Sequence, residues 1–194
     1  MTDNINFKEL SLSDAGDGLL DDFIRYQKVT RHWKKINEEW VLKDGDYVDD
    51  WDRNERKVRA ERFINVLTNE LGHIFGAYAD DRLVGFAVLL KEKFGSNNQY
   101  IQLKSFHVSL DYRDRGIGKK LFKMCEEKAR EIGAEKMYIS ANDSEATQGF
   151  YLGLGCVDAR EINQECAAAE PFDRQMEFSI ADITDIEAGT DGRR

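Results

Sequence analysis

The chain has 194 residues, of which 41% are hydrophobic and 11% aromatic, and this predicts one globular domain and excludes a fully disordered chain. No apolar run approaches the roughly 18 residues of a membrane span, and residues 1–14 lack the basic and apolar regions of a signal peptide, so we expect no membrane partner. The net charge of −9 argues against a nucleic-acid partner, because proteins that bind a phosphate backbone normally carry a basic face.

The first part of the chain is predicted to form a strand followed by three helices. The segment INFKEL, residues 5–10, has the composition of a strand. Apolar residues then recur every three or four positions across 19–24, 29–40 and 60–71, which is the spacing of one helix face. An acidic segment at 44–52 separates the second predicted helix from the third.

The second part is predicted to be richer in strands. Strand-like runs at 73–78 and 82–91 form a hairpin, and a third strand follows at 100–108. Apolar residues of 117–132 lie on one helix face. A further strand, a short helix and two late strands are predicted at 136–140, 145–152, 156–159 and 175–180.

This element order predicts an α/β fold around a mostly antiparallel sheet. Three consecutive strands in the middle of the chain argue against a doubly wound parallel sheet, which needs strict alternation of strands and helices. We expect one domain over residues 1–180, followed by a polar, disordered tail at 181–194.

Neither the cysteines nor the histidines have the spacing of a metal site. Cys125, Cys156 and Cys166 are an odd number without a CxxC pair, which argues against a disulfide framework and a cysteine zinc site. The histidines share no ligand spacing, and no HExxH motif is present. We therefore expect that the protein binds no metal. We also expect it to be located in a reducing compartment, namely the cytoplasm.

A loop with two glycines, RDRGIGKKL at 113–121, stands between a predicted strand and a predicted helix. The first N–H groups of a helix have no partner within it, and the helix dipole adds positive potential there. Glycine lets this backbone approach an anion closely, so the loop predicts a phosphate site. The sequence is neither a P-loop nor GxGxxG, and a glycine-rich turn without a ligand is the alternative.

A second cluster follows, ISAN at 139–142 and ATQGFYLGLGC at 146–156. Together the two clusters resemble the GNAT superfamily of N-acetyltransferases, whose members show R/Q-x-x-G-x-G/A and then N…A…FYxxxGF. The first pattern is matched by Arg113, Gly116 and Gly118, and the second by Asn142, Ala146, Phe150, Tyr151 and Gly155. Cys156 replaces the usual phenylalanine, and Asp114 stands where glycine is common.

The resemblance implies a single-domain fold whose sheet splays between two central strands, with helices on both faces. It also implies acetyl-CoA as co-substrate, with the pyrophosphate on the loop amides and the pantetheine arm in the splay, paired with strand backbone. The residues it assigns to acetyl-CoA are Phe106, His107, Val108, Arg113, Asp114, Arg115, Gly116, Ile117, Gly118, Lys119, Asn142 and Tyr151.

The reaction implied by the resemblance is direct attack of a neutral primary amine on the thioester in a ternary complex. The Val108 N–H is expected to hold the oxyanion, and Tyr151 to protonate the departing thiolate as the general acid. A phenol suits this role because it stays protonated at pH 7; packing at the sheet edge is the alternative for Tyr151. The general base stays open: His107 titrates near neutrality, but a packing role is the alternative.

The acceptor is predicted from the acidic segment at 44–52, which holds five aspartates, no basic residue, and aromatic neighbours. Carboxylates and aromatic faces attract a cationic amine, whereas a solvated loop is the alternative. Three function classes remain: a small-molecule amine acetyltransferase, a protein or peptide acetyltransferase, and a non-catalytic acyl-CoA-binding module. The oligomeric state is open, with a homodimer among the alternatives.

Overall fold

Seven strands form one mixed sheet and two more form a separate hairpin in the computed structural model, which describes residues 4–180. The strands are β1 Ile5–Glu9, β2 Gln27–Ile36, β3 Glu39–Asp49, β4 Gly72–Ala79, β5 Arg82–Phe94, β6 Tyr100–Val108, β7 Lys136–Ala141, β8 Val157–Asp158 and β9 Arg174–Ser179. The α-helices are α1 Arg53–Thr68, α2 Ile117–Glu131, α3 Glu145–Gly153 and α4 Gln164–Ala169. Within residues 4–180, no helix is long and apolar enough to cross a membrane. The tail predicted at 181–194 lies outside the described residues.

The strand order is β1-β4-β5-β6-β7-β9-β8, and β6 with β7 is the parallel pair in an otherwise antiparallel sheet. Helices α2 and α3 pack on one face of this sheet, and α1 packs on the other. The predicted α/β class, with a mixed, mostly antiparallel sheet and helices on both faces, is therefore confirmed. The six-residue helix α4 has no counterpart in the sequence prediction.

The two faces of the sheet carry separate hydrophobic cores. On one face, α2 buries Leu121, Cys125 and Ala129 completely against the central strands. On the other face, Phe63 of α1 and Trp51 are buried beside strands β4 and β5. The sheet is thus held between α1 on one face and α2 on the other.

The predicted helices at 19–24 and 29–40 are wrong. Residues 19–24 contain turns and no helix, although they bury two side chains in the core, and 29–40 belongs to the hairpin of β2 and β3. A spacing of four is even, so it also satisfies the alternation of a strand. The turn of the hairpin is made by Asn37 and Glu38, with φ angles of 50° and 65°, as a type I′ turn requires.

Strands β6 and β7 separate after a short ladder, which confirms the predicted splay. Their parallel pairing ends at Leu103 and Ile139, while β6 continues to pair with β5, and β7 with β9. Lys104 is bulged out of the β5–β6 ladder at the point of separation. Since a bulge bends its strand, it turns the end of β6 away from β7. The edge of β6 from Lys104 to Val108 therefore has no strand partner on that side within residues 4–180.

Asp52 caps helix α1, and this gives a first prediction. Its carboxylate accepts the Glu55 N–H at 2.8 Å, and the Glu55 carboxylate accepts the Asp52 N–H at 2.9 Å. We expect Asp52→Ala to lower the free energy of unfolding by about 1 kcal/mol, measured by urea denaturation. Asp46→Ala is the control, because Asp46 is exposed and lies 3.6 Å from Lys28 across the hairpin. Equal stability of both variants would contradict the capping role.

Candidate active site

A cavity of about 980 Å³ lies at the splay and reaches both faces of the sheet. On the α2 face it is bounded by the loop before α2 and by α3, and on the other face by α1 and β3. The ends of β6 and β7 form its floor between these two sides. A ligand lying in this cavity can therefore be contacted from both faces of the sheet at once.

The backbone of the loop before α2 presents unpaired donors. Gly116 caps the helix with φ 78°, and no side chain caps it. The first backbone hydrogen bond of α2 is donated by the Lys120 N–H to the Gly116 carbonyl, at 3.2 Å. The three preceding amides, of Ile117, Gly118 and Lys119, have no acceptor among residues 4–180, and the first turn contains no acidic residue. The turn therefore carries positive potential that no acidic residue within it neutralises.

Two further residues of this loop explain its shape. Asp114 has φ 60°, a left-handed conformation that favours glycine and that aspartate tolerates better than most residues. A Cβ on Gly118 would lie 3.2 Å from the Phe150 ring, so glycine allows α2 to begin directly against α3. Asp114 therefore adopts the backbone conformation of the glycine that is common at its position, and Gly118 matches the small residue of the family pattern.

The two arginines of the loop brace it. Arg113 donates from Nε to the Val108 carbonyl at 3.1 Å and from a terminal nitrogen to the Arg25 carbonyl at 3.2 Å. Arg115 lies over the Tyr112 ring, 4.6 Å from its centroid, and does not line the cavity. The other residues that the resemblance assigns to acetyl-CoA all line the cavity.

The Val108 N–H faces the splay. The next amide, of Ser109, donates to the Val84 carbonyl of β5 at 2.8 Å. Successive N–H groups of a strand point to opposite edges, so the Val108 N–H points away from β5, toward the gap. It is placed to meet a carbonyl oxygen lying in the splay.

Tyr151 lies on α3 with its ring packed among aromatic neighbours. Its centroid is 6.2 Å from that of Phe106 and 6.4 Å from that of Phe122, and the residue is 6% exposed. It lines the cavity, and its hydroxyl makes no hydrogen bond to another residue in 4–180. Burial raises the pKa of this hydroxyl far above its usual range. Tyr151 is therefore a phenol that keeps its proton throughout the neutral range.

Asn142 and the start of α3 are held by the hairpin of β2 and β3. The Asn142 side-chain oxygen accepts the Ser144 N–H at 2.9 Å, and the Ser144 hydroxyl accepts the Thr147 N–H at 3.2 Å. From the hairpin, the His32 ring lies 3.0 Å from the Asp143 carboxylate, and Tyr47 also hydrogen-bonds to this carboxylate. The hairpin thus closes one side of the site, a role that the predicted helix at 29–40 could not indicate.

His107 is held in a neutral form. Its ring centroid lies 4.7 Å from that of Trp51 and 5.4 Å from that of Phe86. Burial lowers its pKa well below the usual value, and the positive charges of Arg25, Arg59 and Arg113 lower it further. The His107 ring therefore binds a proton only weakly at neutral pH.

Asp173 is a cavity residue that no sequence motif indicates. It immediately precedes β9, lines the cavity, and accepts a hydrogen bond from the Ser140 hydroxyl at 3.3 Å. Burial raises its pKa to about 7, and the neighbouring charges of Glu170, Asp143 and Asp49 contribute. Asp173 is thus a carboxyl group that exchanges its proton near neutral pH.

The acidic segment at 44–52 does not form the expected carboxylate wall. Of the five aspartates in this segment, Asp49 alone lines the cavity. The Asp49 carboxylate is paired with Arg25. Asp50 accepts the Trp51 N–H at 2.7 Å, and Asp52 caps α1. The remaining two lie on exposed parts of β3. The wall beside the segment is formed by α1 and is basic.

The model of the acetyltransferase (GNAT) family matches residues 31–155. Among solved structures, a Bacillus anthracis protein assigned as a streptothricin acetyltransferase, in complex with acetyl coenzyme A, is 20% identical, with a TM-score of 0.62 over 90% of this chain and 96% of that one. Nourseothricin acetyltransferase is 15% identical, with a TM-score of 0.64 over 91% and 99%. The ribosomal-protein-alanine N-acetyltransferase of Brucella melitensis is 19% identical, with a TM-score of 0.55 over 82% and 96%. No curated protein sequence matches significantly. The structural likenesses show a shared fold.

Proposed function

We propose that this chain, which belongs to the acetyltransferase (GNAT) family, uses its domain at 1–180 to transfer the acetyl group of acetyl-CoA to a primary amine. The observation that carries the proposal is one cavity that joins the unpaired amides of α2 to the open edge of β6. Its volume of about 980 Å³ lies at the upper end of the range for small-molecule sites. The acetyl-CoA complex of the Bacillus anthracis protein, which shares the fold, supports the choice of donor.

The donor is proposed to lie along the splay. Its pyrophosphate takes the amides of Ile117, Gly118 and Lys119, where the helix dipole and the Lys119 ammonium favour negative charge. The pantetheine arm pairs with the free edge of β6 as an additional strand would. Asn142, across the gap at the end of β7, offers its side-chain amide nitrogen to the arm.

The chemistry is proposed to follow from the groups around the thioester. The amine nitrogen attacks the carbonyl carbon, and the oxyanion is held by the Val108 N–H. As the C–S bond breaks, Tyr151 gives its proton to the thiolate. On the acceptor side Asp173 takes the proton that the amine loses, because His107 is too weak a base. The products are the acetylated amine and CoA.

A small-molecule amine is the acceptor we favour. The hairpin of β2 and β3, tied to Asp143, and helix α1 bound the acceptor side of the cavity. The cationic amine end is attracted by carboxylates that line this side beside β9, namely those of Glu170 and Asp173. The names of two structural neighbours, acetyltransferases of streptothricin and nourseothricin, also support a small molecule. A protein acceptor would need this side to be open.

Acetyl-CoA at 100 times its Kd is expected to raise the melting temperature by roughly 5–10 °C, since binding stabilises the folded state by about 2.7 kcal/mol. Gly118→Val should weaken acetyl-CoA binding at least about tenfold, because even the first side-chain carbon would meet the Phe150 ring at 3.2 Å and push α2 away from the splay. Calorimetry measures both effects.

Lys119→Gln tests the same site without crowding it, and should weaken binding about two- to fivefold. Lys123→Gln is its matched control, because Lys123 is exposed on α2 away from the cavity. Normal affinity in Gly118→Val, or equal effects of the two lysine variants, would remove acetyl-CoA from this loop.

A further inference from the structure

The side of the cavity that is bounded by α1, here called the α1 wall, carries positive charge that the carboxylates of residues 4–180 do not balance. Arg25, Arg59 and Arg62 line this part of the cavity. Arg25 is paired with Asp49, but within residues 4–180 neither Arg59 nor Arg62 forms an ion pair. The wall therefore holds a net positive charge, in contrast to the acidic character expected from the sequence.

Arg59 shows most clearly that this charge lacks a partner. Its guanidinium lies 4.0 Å from the Trp51 ring centroid, and one nitrogen donates to the Glu55 carbonyl at 3.3 Å. Burial lowers the pKa of Arg59. The Glu55 and Asp49 carboxylates raise it and the charges of Arg62 and Arg25 lower it, but no carboxylate among residues 4–180 forms an ion pair with this guanidinium. A partly desolvated cation beside like charges is unfavourable unless an anion joins it. The planar fork of arginine suits a carboxylate or phosphate group.

The location of this wall argues against the donor's pyrophosphate as the missing anion. Helix α1 packs on the face of the sheet opposite to α2, whose first turn is proposed to bind the pyrophosphate. Arg59 and Arg62 share the α1 face with His107, whose ring packs against Trp51. The acceptor, entering from this face, is the molecule that meets them.

We infer that the acceptor is an amine that also carries an anionic group, bound by Arg59 and Arg62 while its amine end lies toward Asp173. This inference rests on the proposed function and narrows its substrate class. The cavity then matches a bipolar molecule, with carboxylates beside β9 for the amine and guanidinium groups on α1 for the anion. Simple polyamines, which carry positive charge at both ends, are disfavoured by the same wall.

The test uses acceptors in matched pairs: amino acids with their carboxamides, and amino-alkyl phosphates with the corresponding amino alcohols. Thiol release from acetyl-CoA gives kcat and KM for each. We expect the anionic member of the best pair to have a kcat/KM at least about tenfold higher, as a charge-assisted hydrogen bond provides. Arg59→Gln and Arg62→Gln should each raise its KM about tenfold and leave the KM of the neutral member unchanged.

Arg53→Gln is the matched control, since it removes the same charge from an exposed position of α1 away from the cavity. It should leave the KM of the anionic acceptor unchanged. The inference would be overturned if the neutral member of a pair, or a diamine, had a higher kcat/KM than the anionic member. So would arginine variants that raise the KM of acetyl-CoA, because the wall would then serve the donor.

A binding measurement decides the case in which none of these amines is acetylated. The CoA-loaded protein is titrated by calorimetry with glutarate and with 1,5-diaminopentane, which have chains of equal length and opposite charge. The inference is supported if glutarate binds more tightly than 1,5-diaminopentane and if Arg62→Gln weakens the binding of glutarate. It is overturned if the two compounds bind equally or if the diamine binds more tightly. Failure of the proposed function is distinct, because the protein would then bind no acetyl-CoA, or would bind it and release no thiol with any amine, whatever the result of the glutarate titration.

Discussion

Tyr151→Phe is expected to lower kcat by about 100-fold while the KM of acetyl-CoA stays nearly unchanged. The substitution removes one hydroxyl and keeps the ring between Phe106 and Phe122. Since that hydroxyl has no hydrogen-bond partner among residues 4–180, its loss leaves no buried group unpaired. Steady-state thiol release with the best acceptor measures the effect.

Tyr138→Phe separates the loss of a proton donor from a general effect of removing a buried phenol. Tyr138 is fully buried away from the cavity, donates to the Gln175 side chain at 2.8 Å and accepts the Asn163 N–H at 3.0 Å. This variant should lose about 1 kcal/mol of stability and keep its kcat. If Tyr151→Phe also keeps its kcat, the thiolate receives its proton from another group or from water.

The sequence signals that indicate the proposed donor side of the site are local. The loop from Arg113 to Gly118 follows one strand and opens one helix, so its backbone geometry depends on neighbours in the chain. Its two left-handed residues, Asp114 and Gly116, belong to the same short segment. Likewise, Tyr151 follows from the pattern of a single helix.

The acceptor side is poorly predicted because its residues come together only in the tertiary structure. Arg59 has the ordinary features of a surface helix residue until the end of β3 and the following connection bring Asp49 and Trp51 beside it. Asp173 belongs to no motif, and it reaches the cavity because β9 pairs with β7. Val29 and Trp33 are four residues apart, which fits one face of a helix and one face of a strand equally well, so the sequence leaves this side of the cavity undetermined.

Asp173→Asn is expected to lower kcat/KM by about 100-fold at pH 8 and to change its dependence on pH. The carboxylate accepts a proton only when it is ionised, so wild-type kcat/KM should rise with pH and reach half its plateau near the pKa of about 7. The groups that face Asp173 from the surrounding elements are Ser140, Glu170, Asp49, Tyr47, Asp143 and Tyr151. Glu170→Gln removes a negative charge, so the pKa should fall and the rise should move to lower pH.

The acceptor amine also titrates, and two acceptors whose amines differ in pKa distinguish it from Asp173. The rise in kcat/KM that is caused by the amine shifts along the pH axis when the acceptor is changed. The rise near pH 7 stays in place with both acceptors, and only this rise disappears in Asp173→Asn.

A loss of stability is not expected in Asp173→Asn, because protonation of this carboxyl group is linked to folding. The folded-state pKa of Asp173 lies above its unfolded value, so this group stabilises the fold at low pH and loses that contribution as pH rises through about 7. The variant should therefore be at least as stable as wild type at pH 8, and a profile that keeps its rise near pH 7 would exclude Asp173 as the base.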